Sequence, residues 1–381
     1  MKRVCFISTV NHNVGDDFVR EGICDLLRDV IGEFRADIVH KHFPATVRGG
    51  LWPVLDRMTR QIPNHVAWRE RVSRMVDALS GTAAKDKLLN SDLIVQAGTP
   101  MYWKNAWSTC ARTEWFDLLI ERRWRRVGRA IPLWNLGAGS CQPWGSDGSE
   151  VVADEGCRAY IDRFTSLCSV TTVRDSLACE IVRQCGHEVP VLPCPSIFVT
   201  ASPGLNRGTA EYLALNYMPG GGHYEWAGSG KEDARQWEAC FSETVRRLAR
   251  SHPCLMICHD RREVAAAQRL FPEIPRFHSR DWRAYVQVYS RCRAAIVSRV
   301  HGAVVAAAMG KRVLLVGNDT RLLTAAQVPG IIWMPVVAAR QGIHDQVQEL
   351  LGQPMLEDTA SFLESTRQRY LTLLRAAHNS V

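Results

Sequence analysis

The segment Ala294-Ala295-Ile296-Val297-Ser298-Arg299-Val300-His301-Gly302-Ala303 sets a guanidinium and an imidazole two residues apart after an apolar, strand-like run. In extended backbone, residues i and i+2 project to one face, so Arg299 and His301 are expected to point into one site. A guanidinium that forks onto an anionic substrate, beside an imidazole that moves a proton, suits a catalytic pair. Ser298 and Gly302 flank the pair. The small-residue stretch Val304 to Met309 predicts a helix packed closely enough to hold the turn rigid. A purely structural histidine is the alternative.

Three further motifs sit where strands should end. Asn11-His12-Asn13-Val14-Gly15-Asp16-Asp17 lies between an apolar run and an amphipathic stretch. Gly15 allows close approach of backbone, and the following helix end offers free N–H groups. Asp16 and Asp17 already complement that helix dipole, so simple capping stays open as a second reading. The pattern is not G-x-G-x-x-G, which disfavours a nicotinamide dinucleotide. Leu136-Gly137-Ala138-Gly139-Ser140 follows the run Ile131 to Trp134, and its glycine pair is either a place where substrate meets backbone or a tight loop. In Val173-Arg174-Asp175-Ser176 the arginine is placed to grip a carboxylate or phosphate and the aspartate to cap a helix, an internal ion pair being the other choice.

The elements that must hold these residues alternate along nearly the whole chain, short β-branched runs with amphipathic stretches, as in parallel sheets built from βαβ units. The first half reads as strands at 3–9, 36–40, 92–96, 131–136, 169–173 and 189–193. Helices are predicted at 16–31, 107–126, 153–166 and 176–185. Pro193, Pro195, Pro203, Gly204 and Gly208 then crowd one interval where neither helix nor strand continues easily. That interval predicts two domains, 1–203 and 204–381. The second half restarts with strands at 212–217, 254–258, near 277, 294–298, 312–316 and 331–334. Its helices are expected at 232–250, 261–270, 281–291, 301–309, near 320 and over 357–378. Two such halves leave a cleft between them at the carboxyl ends of their strands.

With 381 residues the chain exceeds what one core usually serves, and 46% hydrophobic against 23% charged residues excludes a disordered or fibrous class. Met1-Lys2-Arg3 leads into an apolar run too short for a signal peptide, and no segment is long enough to span a bilayer, so a cytoplasmic protein is expected. Thirteen cysteines without a C-x-x-C pair indicate reduced thiols; Cys254, Cys258 and His259 lack the second ligand pair of a zinc site. A net charge of +8 favours an anionic ligand without the motifs of nucleic-acid binding. Its densest cluster, Arg122, Arg123, Arg125, Arg126 and Arg129 around Trp124, reads as a solvated helix face or as peripheral docking on anionic lipid or a partner.

Taken in order, Asn13-x-Gly15-Asp16, the glycines at 137 and 139, Arg174-Asp175-Ser176 and Arg299-x-His301-Gly302 resemble the polysaccharide pyruvyltransferase family over about residues 4–320. The resemblance implies two Rossmann-like domains similar to the two-domain, GT-B type glycosyltransferases. It also implies transfer of pyruvate from phosphoenolpyruvate, as co-substrate, onto two hydroxyls of a sugar or glycan as a ketal in exopolysaccharide biosynthesis, with no metal or other cofactor. His301 and Arg299 then become the catalytic pair. Arg299, Arg174, Ser298 and Gly302 are expected on the donor, and Asn13, Gly15, Asp16, Gly137 and Gly139 on the acceptor. The chain departs from the family pattern at Ala97-Gly98-Thr99-Pro100, where a glycine triplet is common, and at Cys194-Pro195, where Asp-Pro is common. The Arg- and Trp-rich insert at 48–80 has no assigned role. Two other readings compete. One is a nucleotide-sugar glycosyltransferase using Asn216, Gly220 to Gly222 and His223; the other is a catalytically silent protein that binds ligand in the same cleft.

Overall fold

A computed structural model describes residues 1–10, 13–41, 83–104, 131–201, 210–219, 231–354 and 359–379. The expected helix at 107–126, the Arg122–Arg129 cluster, the insert at 48–80, the domain boundary at 203/204 and Gly220 to His223 lie outside the described residues.

The first sheet collects β1 (Lys2–Ser8), β2 (Phe34–His40), β3 (Leu93–Ala97), β4 (Pro100–Tyr102), β5 (Leu133–Ser140) and β6 (Val170–Val173), all paired in parallel. Its order is β2-β1-β3-β5-β4, with β6 also on β5. Around it lie α1 (Val14–Ile31), α2 (Ala83–Leu89), α3 (Ser149–Val152), α4 (Glu155–Leu167) and α5 (Ser176–Gln184). The second sheet holds β7 (Tyr212–Asn216), β8 (Cys254–Ile257), β9 (Arg276–Phe277), β10 (Cys292–Val297), β11 (Arg312–Gly317) and β12 (Ile331–Pro335), in the order β12-β11-β10-β7-β8-β9. Its helices are α6 (Lys231–Ser251), α7 (Arg261–Leu270), α8 (Trp282–Ser290), α9 (Val300–Ala308) and α10 (Val336–Gly352), and the chain closes with α11 (Thr359–Asn379). These are the two parallel sheets expected from the alternation of runs, and they form the two Rossmann-like halves that the family resemblance implied.

Strand order decides where a ligand can sit. In the first sheet the chain reverses its direction of travel between β1 and β3, and in the second between β7 and β10. Such switch points open a crevice at the carboxyl ends of the strands concerned. The turn before α1 and the turn before α9 stand at these two places, and they face each other.

Apolar burial explains why the halves stay together. Phe18 of α1 is fully buried and meets His259 and Tyr285 of the second half edge-on, each at 6.3 Å between ring centres. Ser140 Oγ lies 3.1 Å from Thr320 Oγ1, Pro143 pairs with Asp319 in an antiparallel bridge, and Trp144 meets Trp333 at 5.5 Å. Helix α11 returns to the first half. Arg367 reaches Asp25 at 2.6 Å and Asp29 at 2.7 Å, and the Tyr370 hydroxyl donates to Pro193 O at 2.9 Å.

Several elements differ from the sequence expectation. Residues 189–193 form no strand, only a bridge from Val191 to Val173, because Pro190 and Pro193 have no N–H for a ladder. The proline-rich interval is not irregular throughout: Pro195–Ala201 is a buried 3₁₀ segment packed against α1, close enough that a Cβ on Gly22 would lie 1.9 Å from Pro195 O. The helix expected near 320 is also 3₁₀, over Thr320–Gln327. Strand β4 and helices α2, α3 and α10 have no counterpart in the sequence reading.

Candidate functional site

The turn that ends β10 is fixed from beneath. The Ser298 N–H donates to both the backbone O and Oδ1 of Asn216, each at 3.2 Å. Asn216 is fully buried at the end of β7, and its amide donates to Ile257 O at 2.9 Å and to Glu263 Oε2 at 2.8 Å. Arg299 takes the N-cap position of α9 but caps nothing with its side chain. Its guanidinium runs instead to Asp260 Oδ2 at 2.6 Å and to Glu263 Oε1. Because the helix begins at Val300, the backbone is not extended through His301, and the two side chains diverge. The expectation that Arg299 and His301 share one face therefore fails: one guanidinium is locked between carboxylates, and the imidazole looks across the cleft.

There His301 Nε2 meets Arg174 Nη1 at 3.0 Å. A guanidinium has only donors, so Nε2 accepts and the neutral ring carries its proton on Nδ1. Burial, then Arg174 and the more distant His259, Arg321 and Arg299, hold the His301 pKa well below the usual histidine value. Nδ1 lies against the first turn of α1, where a Cβ on Gly15 would come within 2.2 Å of it. Gly15 is thus required for the ring's close approach.

Arg174 follows β6 and is 1% exposed. Besides His301 it has Cys194 Sγ at 4.0 Å from Nη1, while its Nε finds no partner. It forms no ion pair among the described residues. Its neighbour Asp175 caps α5 through Ala178 N at 2.8 Å and accepts from Ser140 N at 2.9 Å, which uses both carboxylate oxygens. The capping expected of Asp175 is therefore what it does.

The predicted acceptor residues divide. Asn13 is the N-cap of α1, its Oδ1 accepting from Gly15 N at 3.0 Å, and Asp16 is buried in the same turn. Gly137 and Gly139 lie inside β5 rather than in a loop, and both are buried. Gly137 has φ +70°, and Gly139 makes room for Arg174, whose Nε would lie 2.5 Å from a Cβ there. Gly139 thus supports the cation, Gly137 admits Pro195, whose Cδ would lie 2.6 Å from a Cβ there, and neither buried glycine offers a surface to a sugar. Gly302 likewise makes room, for the Tyr289 hydroxyl at 2.5 Å from a notional Cβ and for His259. Ser298 is buried beside it.

Sequence reasoning missed Asp260, Glu263 and Tyr289, and it gave Asn216 and His259 other roles. Asp260-x-x-Glu263 has the look of an ordinary capping box, and Asp260 does cap α7 through Arg262 N and Glu263 N. Glu263 does not complete the box. It is 1% exposed and turns inward to Arg299, Asn216 and the N–H of His259 at 2.7 Å. Burial raises its pKa against the pull of Arg299. Burial acts against ionised Asp260 too, but Arg299 and the backbone N–H bonds prevail and hold its pKa down. His259 Nε2 pairs with the Tyr289 hydroxyl at 2.8 Å, its Nδ1 has no partner, and burial reinforced by Arg299 pushes its pKa down to about 3.

The family model described as Polysaccharide pyruvyl transferase matches residues 13–320, most of the chain, from the Asn13 turn to the 3₁₀ segment after β11. The chain belongs to this family. No curated protein matches it significantly. Among solved structures it is similar to the MnaA–UDP co-structure of S. aureus, with TM-score 0.53, 11% identity, and coverage of 98% of this chain and 91% of that one. The UDP-GlcNAc 2-epimerase of Methanocaldococcus jannaschii in complex with UDP-GlcNAc and UDP gives 0.53, 10%, 98% and 99%. An α,α-trehalose-phosphate synthase (UDP-forming) from Burkholderia vietnamiensis gives 0.52, 13%, 100% and 96%. At these identities the likeness is one of fold, and it agrees with two Rossmann-like halves of the GT-B type. Among the described residues no helix is long and apolar enough to cross a membrane.

Proposed function

We propose that this pyruvyltransferase moves the pyruvyl group of phosphoenolpyruvate onto two hydroxyls of a sugar or glycan as a ketal, in the cytoplasm, during cell-surface polysaccharide or glycoconjugate biosynthesis. The observation that carries the reading is Arg174: a buried guanidinium with no carboxylate partner among the described residues, hydrogen-bonded to a neutral imidazole where the first turns of α1 and α9 meet. An unmatched buried cation beside uncapped helix N–H groups calls for an anion. In this scheme Arg174 and the first turn of α9 receive the donor's phosphate and carboxylate.

Ketal formation needs a proton on the methylene carbon of the enol ester and two hydroxyl attacks at its neighbour. His301 starts neutral, and once the donor's anionic groups draw the Arg174 guanidinium off Nε2, that nitrogen accepts a hydroxyl proton. The donor's negative charge offsets Arg174 and stabilises the imidazolium, which then protonates the methylene carbon. The first hydroxyl oxygen bonds to the resulting oxocarbenium centre, the carbon–phosphate oxygen bond breaks, and the second hydroxyl closes the ketal while its proton leaves with phosphate. The scheme draws on no metal ion. The donor role expected of Arg299 passes to Arg174, because Arg299 is already matched by two carboxylates.

The test is phosphate release and acceptor mass gain when the protein meets phosphoenolpyruvate and a panel of hexose and N-acetylhexosamine acceptors. His301→Ala is expected to lower turnover by about 10²–10⁴-fold. Absence of turnover on a broad panel, with thermal stabilisation by a UDP-sugar and none by phosphoenolpyruvate, would replace this reading with nucleotide-sugar chemistry.

A further inference from the structure

We propose that Glu263 is a positioning residue for the reaction, setting the Ser298–His301 turn so that the imidazole meets Arg174, and that Arg299 acts as its anchor and not as a ligand of the donor. The activity arm of the argument rests on the pyruvyl-transfer reading; the geometric arm does not.

Glu263 comes from α7, two strands away from β10 in the sheet, since β7 lies between β8 and β10. Both of its oxygens are engaged at 1% exposure. Oε1 accepts from Arg299 Nε; Oε2 accepts from Asn216 Nδ2 at 2.8 Å and His259 N at 2.7 Å. Asn216 in turn accepts from Ser298 N. One carboxylate therefore grips the turn at two successive residues, at Ser298 through Asn216 and at Arg299 directly. Two residues on, His301 leaves the opposite side of the same turn toward Arg174. Asp260 adds a second carboxylate to the Arg299 guanidinium, so this cluster carries no surplus positive charge for a donor. A glutamine in place of Glu263 has one acceptor oxygen for three donors. Its NH₂ must face either Arg299 Nε or the Asn216 and His259 donors, so one grip is lost.

The experiment combines ¹⁵N imidazole spectra of His301 with initial rates for Glu263→Gln, Arg299→Gln and the double variant, each checked for a cooperative thermal transition. In the wild-type protein His301 is expected as a single neutral tautomer protonated on Nδ1. Glu263→Gln should give a tautomer mixture. Its kcat should fall about 10–100-fold with KM for phosphoenolpyruvate within about 3-fold, as for misplacement of a reacting group. The double variant should be no worse than Arg299→Gln alone, because both changes remove one interaction. If Glu263→Gln does not fold, Arg299→Lys keeps the charge, loses the fork and is read the same way. An unchanged tautomer with unchanged kcat in the folded variant overturns the proposal. So does a KM for phosphoenolpyruvate raised about tenfold or more by Arg299→Gln, with or without Glu263, since that is the mark of a donor ligand. If no acceptor supports turnover in the wild-type protein, the pyruvyl-transfer reading fails separately, and the His301 spectra alone decide the role of Glu263.

Discussion

Arg174 and Arg299 occupy matching places, each just past a strand end at the cleft, one in each half of the molecule, and both are largely buried. Their surroundings are opposite. Arg299 lies between Asp260 and Glu263, whereas Arg174 has an imidazole, a thiol and an unpartnered Nε. Leaving a buried charge unmatched costs several kcal/mol, so a fold keeps such a cation at a cost in stability. The lesson is that a strand-end arginine announces chemistry only when its counter-ion is missing. By that criterion the proposed reading gives the donor-binding charge to Arg174 and leaves Arg299 in the scaffold.

The most severe way to break the comparison is Arg174→Gln. Removing this buried guanidinium, which has no carboxylate partner among the described residues, is expected to lower kcat/KM for phosphoenolpyruvate by about 10³-fold, the scale of a preorganised charge at a reacting anion. The thermal midpoint should stay level or rise, because the deleted charge has no ion-pair partner among the described residues and a glutamine NH₂ can still donate to His301. Steady-state rates and a melting curve on the same preparation check both. A sharp fall in midpoint with activity retained would place Arg174 in the scaffold instead.

A second variant makes Arg174 resemble Arg299. Cys194 is fully buried with Sγ 4.0 Å from Nη1, so Cys194→Asp sets a carboxylate against the guanidinium. Matching that charge is expected to raise KM for phosphoenolpyruvate about tenfold and to move the His301 pKa upward toward its ordinary value, since a nearby anion favours the imidazolium. Donor saturation curves and imidazole titration by NMR report the two effects. If KM is unaffected, the thiol at this position is indifferent to donor binding.

How much of this was legible beforehand depends on how far apart the partners lie in sequence. Strands β10 and β11 announced themselves through apolar, β-branched runs, and the turns after β1, β6 and β10 through Gly15, Asp175 and the Arg299–His301 spacing. Local pattern carries that information. It does not carry the join of Arg174 to His301, 127 residues apart, or of Arg299 to Glu263, 36 apart. Glu263 drew no reading from the sequence because, with Asp260, it fits an ordinary helix cap, and only the sheet order brings it under β10. The misplaced glycines have the same origin: Gly137 and Gly139 lie within a buried strand, and what they admit, Pro195 and Arg174 respectively, no local window contains.

The smallest expected effect concerns stability and comes from the scaffold side. His259 is buried against Tyr289 and Arg299, with its pKa pushed down to about 3, so it stays neutral when folded while the unfolded chain protonates it near the usual value of 6.5. A depressed folded pKa means that the stability contribution is complete above about pH 6.5 and is lost as pH falls from there toward 3. Within that window each such group adds a slope of about 1.4 kcal/mol per pH unit, one proton taken up on unfolding. His301, also held neutral by burial and by Arg174, adds to the slope in the same direction. In His259→Asn the folded protein starts less stable, but its urea midpoint should depend less steeply on pH between about 6 and 4, by roughly that one-proton amount. The slope rather than the offset is the measurement, because lost packing lowers every point alike. An unchanged slope would mean that protons reach His259 in the folded state, and with it that the floor beneath Gly302 is open to water.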